Sequence, residues 1–112
     1  MWFIGDGNSL SRDNACFGAT ISAEKKAWSI VPSSDNENKQ LIIHFTKFST
    51  ERFRDKVKIY EQEDGQGALI AVLHGNQIPD DIILTTSSAY ILFTSDYSDS
   101  IDSSFHACYS WI

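Results

Sequence analysis

Basic residues are scarce in this chain: nine lysines and arginines stand against fifteen aspartates and glutamates, a formal charge of −6 over 112 residues. Duplex binding draws most of its affinity from a basic face that neutralises phosphates. Nucleic acid is therefore excluded as an expected partner, and an anionic membrane surface with it. A cationic partner or a divalent cation suits this charge balance. Long apolar runs are missing too. None approaches the ~20 residues that a bilayer-spanning helix needs, so no membrane span is expected. The start, Met1-Trp2-Phe3-Ile4-Gly5-Asp6, has no basic region and no apolar stretch of leader length, so no secretory leader is expected within these residues. There is no Asn-x-Ser/Thr acceptor.

Cysteine is down to two residues, Cys16 and Cys108. No Cys-x-x-Cys and no histidine pair at ligand spacing accompanies them, so no zinc site is expected. The pair fits one bridge in an oxidising compartment and two buried thiols equally well. Catalytic signatures are absent as well. No Gly-x-Ser-x-Gly elbow is present. Gly5-Asp6-Gly7 and Gly65-Gln66-Gly67 read as turns, since no Gly-Lys-Ser/Thr follows either. His44, His74 and His106 are isolated and read as partly exposed strand or turn residues. With no nucleophile–base pair to name, the chain is not expected to be an enzyme. An EF-hand starting at Asp96 fails, because its sixth position is Ile101 instead of glycine and its twelfth is Ala107 instead of glutamate.

What the sequence does contain is a core. Its hydrophobic fraction is 42% and its aromatic fraction 12%, and a chain of this length buries roughly two thirds of its unfolded surface in one domain. Period-two patterns dominate from residue 40 onward. Leu41, Ile43 and Phe45 share one face of a strand. Val57 and Ile59 alternate with Lys56, Lys58 and Tyr60 in a half-buried strand. Ala68 to Leu73 is nearly all apolar and reads as a strand covered on both faces. Asp81 to Thr86 and Ala89 to Ser95 read as two more. Phe105, Ala107 and Tyr109 share a face of the last, with His106 and Cys108 opposite. Polar and glycine-bearing breaks separate them: Pro32 to Asn38, Asp64 to Gly67, and Gly75 to Pro79. Ser49 to Arg54 is the one plausible helical turn. The pattern predicts an all-β, antiparallel two-sheet β-sandwich of eight to ten strands, with Val57, Ile59, Ile91, Phe93, Phe105 and Tyr109 inward. Residues 1–15 read as an N-terminal extension and 16–112 as the sandwich.

The segments, in order, resemble the CUB domain family. Gly18 to Ser22 is similar to its Gly-x-Ile-x-Ser opening, and Ala27-Trp28-Ser29-Ile30 to its Cys-x-x-Ile strand with the tryptophan. Leu41 to Phe48 is similar to the strand that leads into an acidic loop. Asp55-Lys56-Val57-Lys58-Ile59-Tyr60 matches Asp-x-Val-x-Ile-Tyr. Gly75 with Pro79 matches Gly-x-x-x-Pro, Phe93-Thr94-Ser95-Asp96 matches Phe-x-Ser-Asp, and Phe105 to Tyr109 matches the closing Gly-Phe-x-x-x-Tyr strand. The likeness covers residues 16 to 110. Phe45 to Glu51 and Leu69 to Leu73 look most like the CUB domains of attractin-like surface proteins. The chain departs from the pattern at several points. Ala27 stands where a cysteine usually does, the loop cysteine between Glu51 and Asp55 is absent, the segment before Trp28 is short and lacks the usual tyrosine, and Ser104 replaces a glycine.

The resemblance implies a jelly-roll sandwich, an extracellular or cell-surface location and a protein-recognition role. It also implies a Ca²⁺ site at one end, with Glu51, Asp55 and Asp96 on the family's ligand positions and Ser98 and Asp99 as further oxygen donors. Ca²⁺ takes six to eight hard oxygens. The same acids Glu51, Asp55 and Asp96 would then receive a basic side chain of a protein partner. Read without the family, these acids are solvated loop residues. Two other roles compete. One is a structural spacer packed against neighbouring domains of one assembly through Trp2, Phe3 and Trp111. The other is a carbohydrate-binding sandwich with Tyr60, Tyr90 or Tyr97 on one face.

Overall fold

The computed structural model describes residues 7–10, 15–21, 25–50, 55–62, 65–94 and 103–112. Among these, nine strands form two sheets. They are β1 (Gly7–Leu10), β2 (Cys16–Ile21), β3 (Lys25–Ile30), β4 (Leu41–Ser49), β5 (Lys56–Glu61), β6 (Leu69–Leu73), β7 (Ile82–Ile83), β8 (Ala89–Thr94) and β9 (Ser103–Trp111). One sheet has the order β1-β3-β8-β5-β6 and the other β2-β9-β4-β7. Every pairing is antiparallel except β1 with β3, where Gly7 sits beside Ala27 in parallel register. Residues 7–10, within the stretch expected as an extension, thus add an edge strand to the first sheet.

Alternation sets the core. Along β5 the residues Val57 and Ile59 are buried while Lys56, Lys58 and Tyr60 alternate with them on the wetter face, as a period of two requires. Ile91 and Phe93 of β8 join them in register. From the second sheet come Phe17, Leu41, Ile43, Phe45, Phe48, Phe105, Ala107 and Tyr109. The six residues expected inward are all buried, and so are Trp28 and Phe45. Phe105 is the hub, with its ring 5.3 Å from Trp28, 6.0 Å from Phe17, 6.2 Å from Phe93 and 6.3 Å from Phe45.

Several expectations are corrected. The apolar run at residues 68–73 is not covered on both faces. β6 is the edge of its sheet, with Leu69 at 49%, Ile70 at 40% and Val72 at 43% exposure; an unbroken apolar run carries no mark of which face is wet. The segment 81–86 holds only the two-residue β7, because the chain turns inward at buried Leu84, whose N–H donates to the Leu41 carbonyl. Ser49 is the last residue of β4 and not the start of a helical turn; Glu51 to Arg54 lie outside the described residues. A short 3₁₀ turn does occur, at Ser34–Asn36 in the polar loop.

Phe93 has no exposed surface. Phe93→Ala is therefore expected to lower the unfolding free energy by ~3–5 kcal/mol, read as a shift in urea midpoint at constant slope. A variant as stable as the parent would contradict this packing.

Candidate functional site

The sandwich has two unlike ends. At one, the C-terminal part of β9 closes the sheet against β4, with Trp111 in register with Leu41. Ile112 and Gln40 exchange backbone hydrogen bonds, and the Trp111 indole N–H donates to the Ser87 carbonyl at 2.7 Å. The Trp111 ring also stands edge-on to Tyr109. Trp111 is thus half-buried as an end cap and is not an exposed docking residue.

At the other end the strand register brings several chain breaks together. Lys56 pairs with Thr94, and Thr94 with Lys25, so the entry to β5, the exit from β8 and the entry to β3 are neighbours. Thr50, just after β4, is tied to Gly75, just after β6. The Thr50 N–H donates to the Gly75 carbonyl at 2.7 Å, and the Gly75 N–H donates to the Thr50 hydroxyl at 2.8 Å. Gly75 has φ +103°, a backbone region that side chains with a Cβ rarely adopt, so glycine is what lets this clamp close.

Asp55 sits at this end, immediately before β5, and only 1% of it is exposed. A carboxylate is rarely buried so completely unless it is hydrogen-bonded or charge-paired, and Asp55 does have a polar partner. Its carboxylate oxygens are hard donors, the kind that Ca²⁺ takes. Glu51, Asp96, Ser98 and Asp99 lie outside the described residues. Their described flanks, Thr50, Asp55 and Thr94, all belong to this end.

The outer face of the second sheet carries a different chemistry. Cys16 and Cys108 are directly opposed on β2 and β9 and joined by a disulfide, with Cα atoms 3.9 Å apart. The Tyr109 N–H donates to the Ala15 carbonyl, which marks that pair as the hydrogen-bonded one. The cysteines therefore form the non-hydrogen-bonded pair, where Cα atoms approach closest. The row continues across the sheet to His44 on β4, and then to Asp81, whose carboxylate is 2.5 Å from the His44 Nδ1. A hollow of about 550 Å³ is lined by Ile42, His44, Asp81, Cys108 and Ser110, among others. His44, His74 and His106 are exposed. The sequence left the two cysteines open between bridge and thiols; their shared register on neighbouring strands decides for the bridge.

For a sugar platform, Tyr60 and Tyr90 do meet, with ring centroids 6.2 Å apart. Tyr90, however, is buried at 8% exposure beneath the turn at Gly65, where an added Cβ would meet its ring at 3.2 Å. Tyr97 lies outside the described residues.

The family model for the CUB domain matches residues 21–109. No curated protein matches the chain by sequence. Among solved structures, the chain is similar to the Ca²⁺-bound MASP-1 CUB2 domain, with TM-score 0.75 and 16% identity, over 92% of this chain and 96% of that one. It is similar to the CUB1-EGF-CUB2 domain of human MASP-1/3, with TM-score 0.76 and 14% identity, over 94% of this chain and 42% of that one. It is also similar to the full extracellular region of zebrafish Gpr126/Adgrg6, with TM-score 0.75 and 16% identity, over 97% of this chain and 15% of that one.

The bridge joins residues 92 apart. Alkylation without reductant is expected to label no thiol, and reduction to lower the unfolding free energy by ~4 kcal/mol on the loop-closure account. Two labelled thiols in protein made under oxidising conditions would refute the pairing.

Proposed function

This chain belongs to the CUB domain family, and from that premise we propose that it is an extracellular protein-recognition module that binds Ca²⁺ at the end of the sandwich where Asp55 is buried. CUB domains are typically protein-interaction modules and not enzymes, and the Cys16–Cys108 disulfide agrees with an oxidising compartment. Among the described residues no helix is long and apolar enough to cross a membrane.

The observation that carries the calcium reading is Asp55, a carboxylate with 1% exposure, at an end into which the flanks of residues 51–54 and 95–102 converge. That one similar structure is a Ca²⁺-bound CUB domain adds support. The ligand set would be Glu51, Asp55 and Asp96, with Ser98 and Asp99 as further oxygen donors. A bound Ca²⁺ would neutralise carboxylates that otherwise repel one another. A lysine or arginine of a protein partner would then dock on the ion's acidic ligands by charge-assisted hydrogen bonds, at Glu51 and Asp96; Asp55, 1% exposed, would hold the ion from within and not meet the partner. The Thr50–Gly75 clamp holds one side of this end fixed before any partner arrives. The competing spacer reading loses support from Trp111, which is spent on Ser87 and Tyr109.

Binding to the native state alone raises stability by about 2.7 kcal/mol when Ca²⁺ is at a hundredfold excess over Kd. Millimolar Ca²⁺ is expected to raise the melting temperature, Mg²⁺ to do less because of its stricter octahedral geometry, and Asp96→Ala to abolish the rise while leaving the apo fold intact. A melting curve unmoved by Ca²⁺, with no heat of binding by calorimetry, would leave the spacer as the better reading.

A further inference from the structure

We propose a second, separate metal site on the outer face of the β2-β9-β4-β7 sheet, opened by reduction: Cys16, Cys108 and His106 become a three-ligand site for Zn²⁺ once the disulfide is broken. Among the described residues, the ligand atoms of these three lie within 4.8 Å of one another. Cys16 and Cys108 are register partners, and His106 is two residues before Cys108 on the same face of β9. Opposite His106 on β2 is Gly18, where an added Cβ would fall 2.9 Å from the His106 Cα. β2 therefore presents no side chain between the imidazole and the sulfurs.

One tautomer of the histidine is set to act as a ligand. β4 carries a bulge between Phe45 and Lys47, and bulges commonly re-aim a side chain. The extra residue, Thr46, brings its hydroxyl 3.3 Å from the His106 carbonyl and 2.7 Å from the His106 Nδ1. A hydroxyl has one proton. Donated to the carbonyl, it leaves the oxygen to accept from Nδ1–H, which places the free lone pair on Nε2. Metal-bound histidines are held in this manner, with the second ring nitrogen donating to an oxygen.

The redox step is accessible because Cys16 is exposed and Cys108 only partly buried. Thiol–disulfide exchange needs a thiolate to reach a sulfur. A small dithiol attacks one sulfur, forms a mixed disulfide, and leaves as its own disulfide. Two electrons and two protons pass to Cys16 and Cys108. Zn²⁺ binding then displaces both thiol protons. Two thiolates, one neutral imidazole and one water around the dication make a site of zero net charge. With Zn–S near 2.3 Å and tetrahedral angles, the sulfurs need to stand about 3.8 Å apart, which asks each to move by about 1 Å. Thiolate and imidazole donors select zinc over calcium, so this site and the carboxylate end would not compete for one ion.

Co²⁺ is the probe, added to the whole chain after reduction with a phosphine and removal of the reductant without air. The reduced protein is expected to stay folded by circular dichroism. It should bind one Co²⁺ with sulfur-to-cobalt charge-transfer absorption and the visible bands of a tetrahedral ion, while the oxidised protein shows neither. Reduced His106→Ala should keep its fold, because the side chain is exposed, and bind Co²⁺ at least about tenfold more weakly. Reduced Thr46→Val should keep the band positions, since the ligand set is unchanged, and lose about tenfold in affinity through the unfixed imidazole. Added Zn²⁺ should bleach the bands. Loss of the fold on reduction, a folded reduced protein without sulfur–cobalt bands, or equal Co²⁺ affinity in reduced wild type and His106→Ala would each overturn the site.

Discussion

Phe105 is the residue on which the two sheets depend. Its ring meets rings from β2, β3, β4 and β8, that is, from both layers. Offset and edge-on aromatic contacts at such distances add to the burial energy and fix relative orientation. The strand that carries Phe105 is also the interior strand that joins β2 to β4. The last strand of the chain therefore completes the core, and the sandwich cannot close before the C-terminal segment is present. Its neighbours on β9 follow by alternation: Ala107 and Tyr109 point inward with Phe105, which forces His106 and Cys108 outward.

The same alternation sorts the chemistry. Side chains with apolar bulk fill the space between the sheets, and polar donors are left at the sheet face and at the strand ends. Cys16, Cys108, His44 and Asp81 stand in one row because the registers of β2, β9, β4 and the approach to β7 place them there. Asp55 is different. It is polar yet buried, and it stands where a strand begins, so its position is set by the turn into β5 and not by the strand's alternation.

Much of this was legible in the residues. Val57, Ile59, Ile91 and Phe93 announce their face by a strict period of two, and Phe105 and Tyr109 do so even with a cysteine and a histidine between them. β6 was misread because Leu69 to Leu73 has no polar residue to mark the wet side, and its edge position follows only from which strand it fails to pair with. Trp111 gave no local sign of its role, which depends on Ser87, 24 residues away. The cysteine pairing was equally hidden, since the register of β2 against β9 is a long-range property. The segment at Asp55 was legible as an acidic, family-like loop. Burial of that one acid is the part that needed coordinates, because it depends on strands β5 and β8 meeting at Lys56 and Thr94.

The bridge bears on how such a topology holds together. Family members usually carry cysteines at the positions taken here by Ala27 and by the loop before Asp55, and Ala27 is buried in β3 as a small core residue. The one bridge instead joins the second strand to the last. Nearly every strand pair here is distant in sequence, β2 with β9 most of all, and closing such loops is the slow and entropically costly part of forming a β-sandwich. Among the described residues β2 is moreover an edge strand with a neighbour on one side only, the kind of element that frays first. A covalent link at Cys16 therefore acts at an edge of the sheet, and it acts through β9, the strand that also carries Phe105. Breaking it would loosen β2, whose Phe17 supplies one of the four rings around Phe105, while the rings from β3, β4 and β8 reach Phe105 from strands that the bridge does not tie.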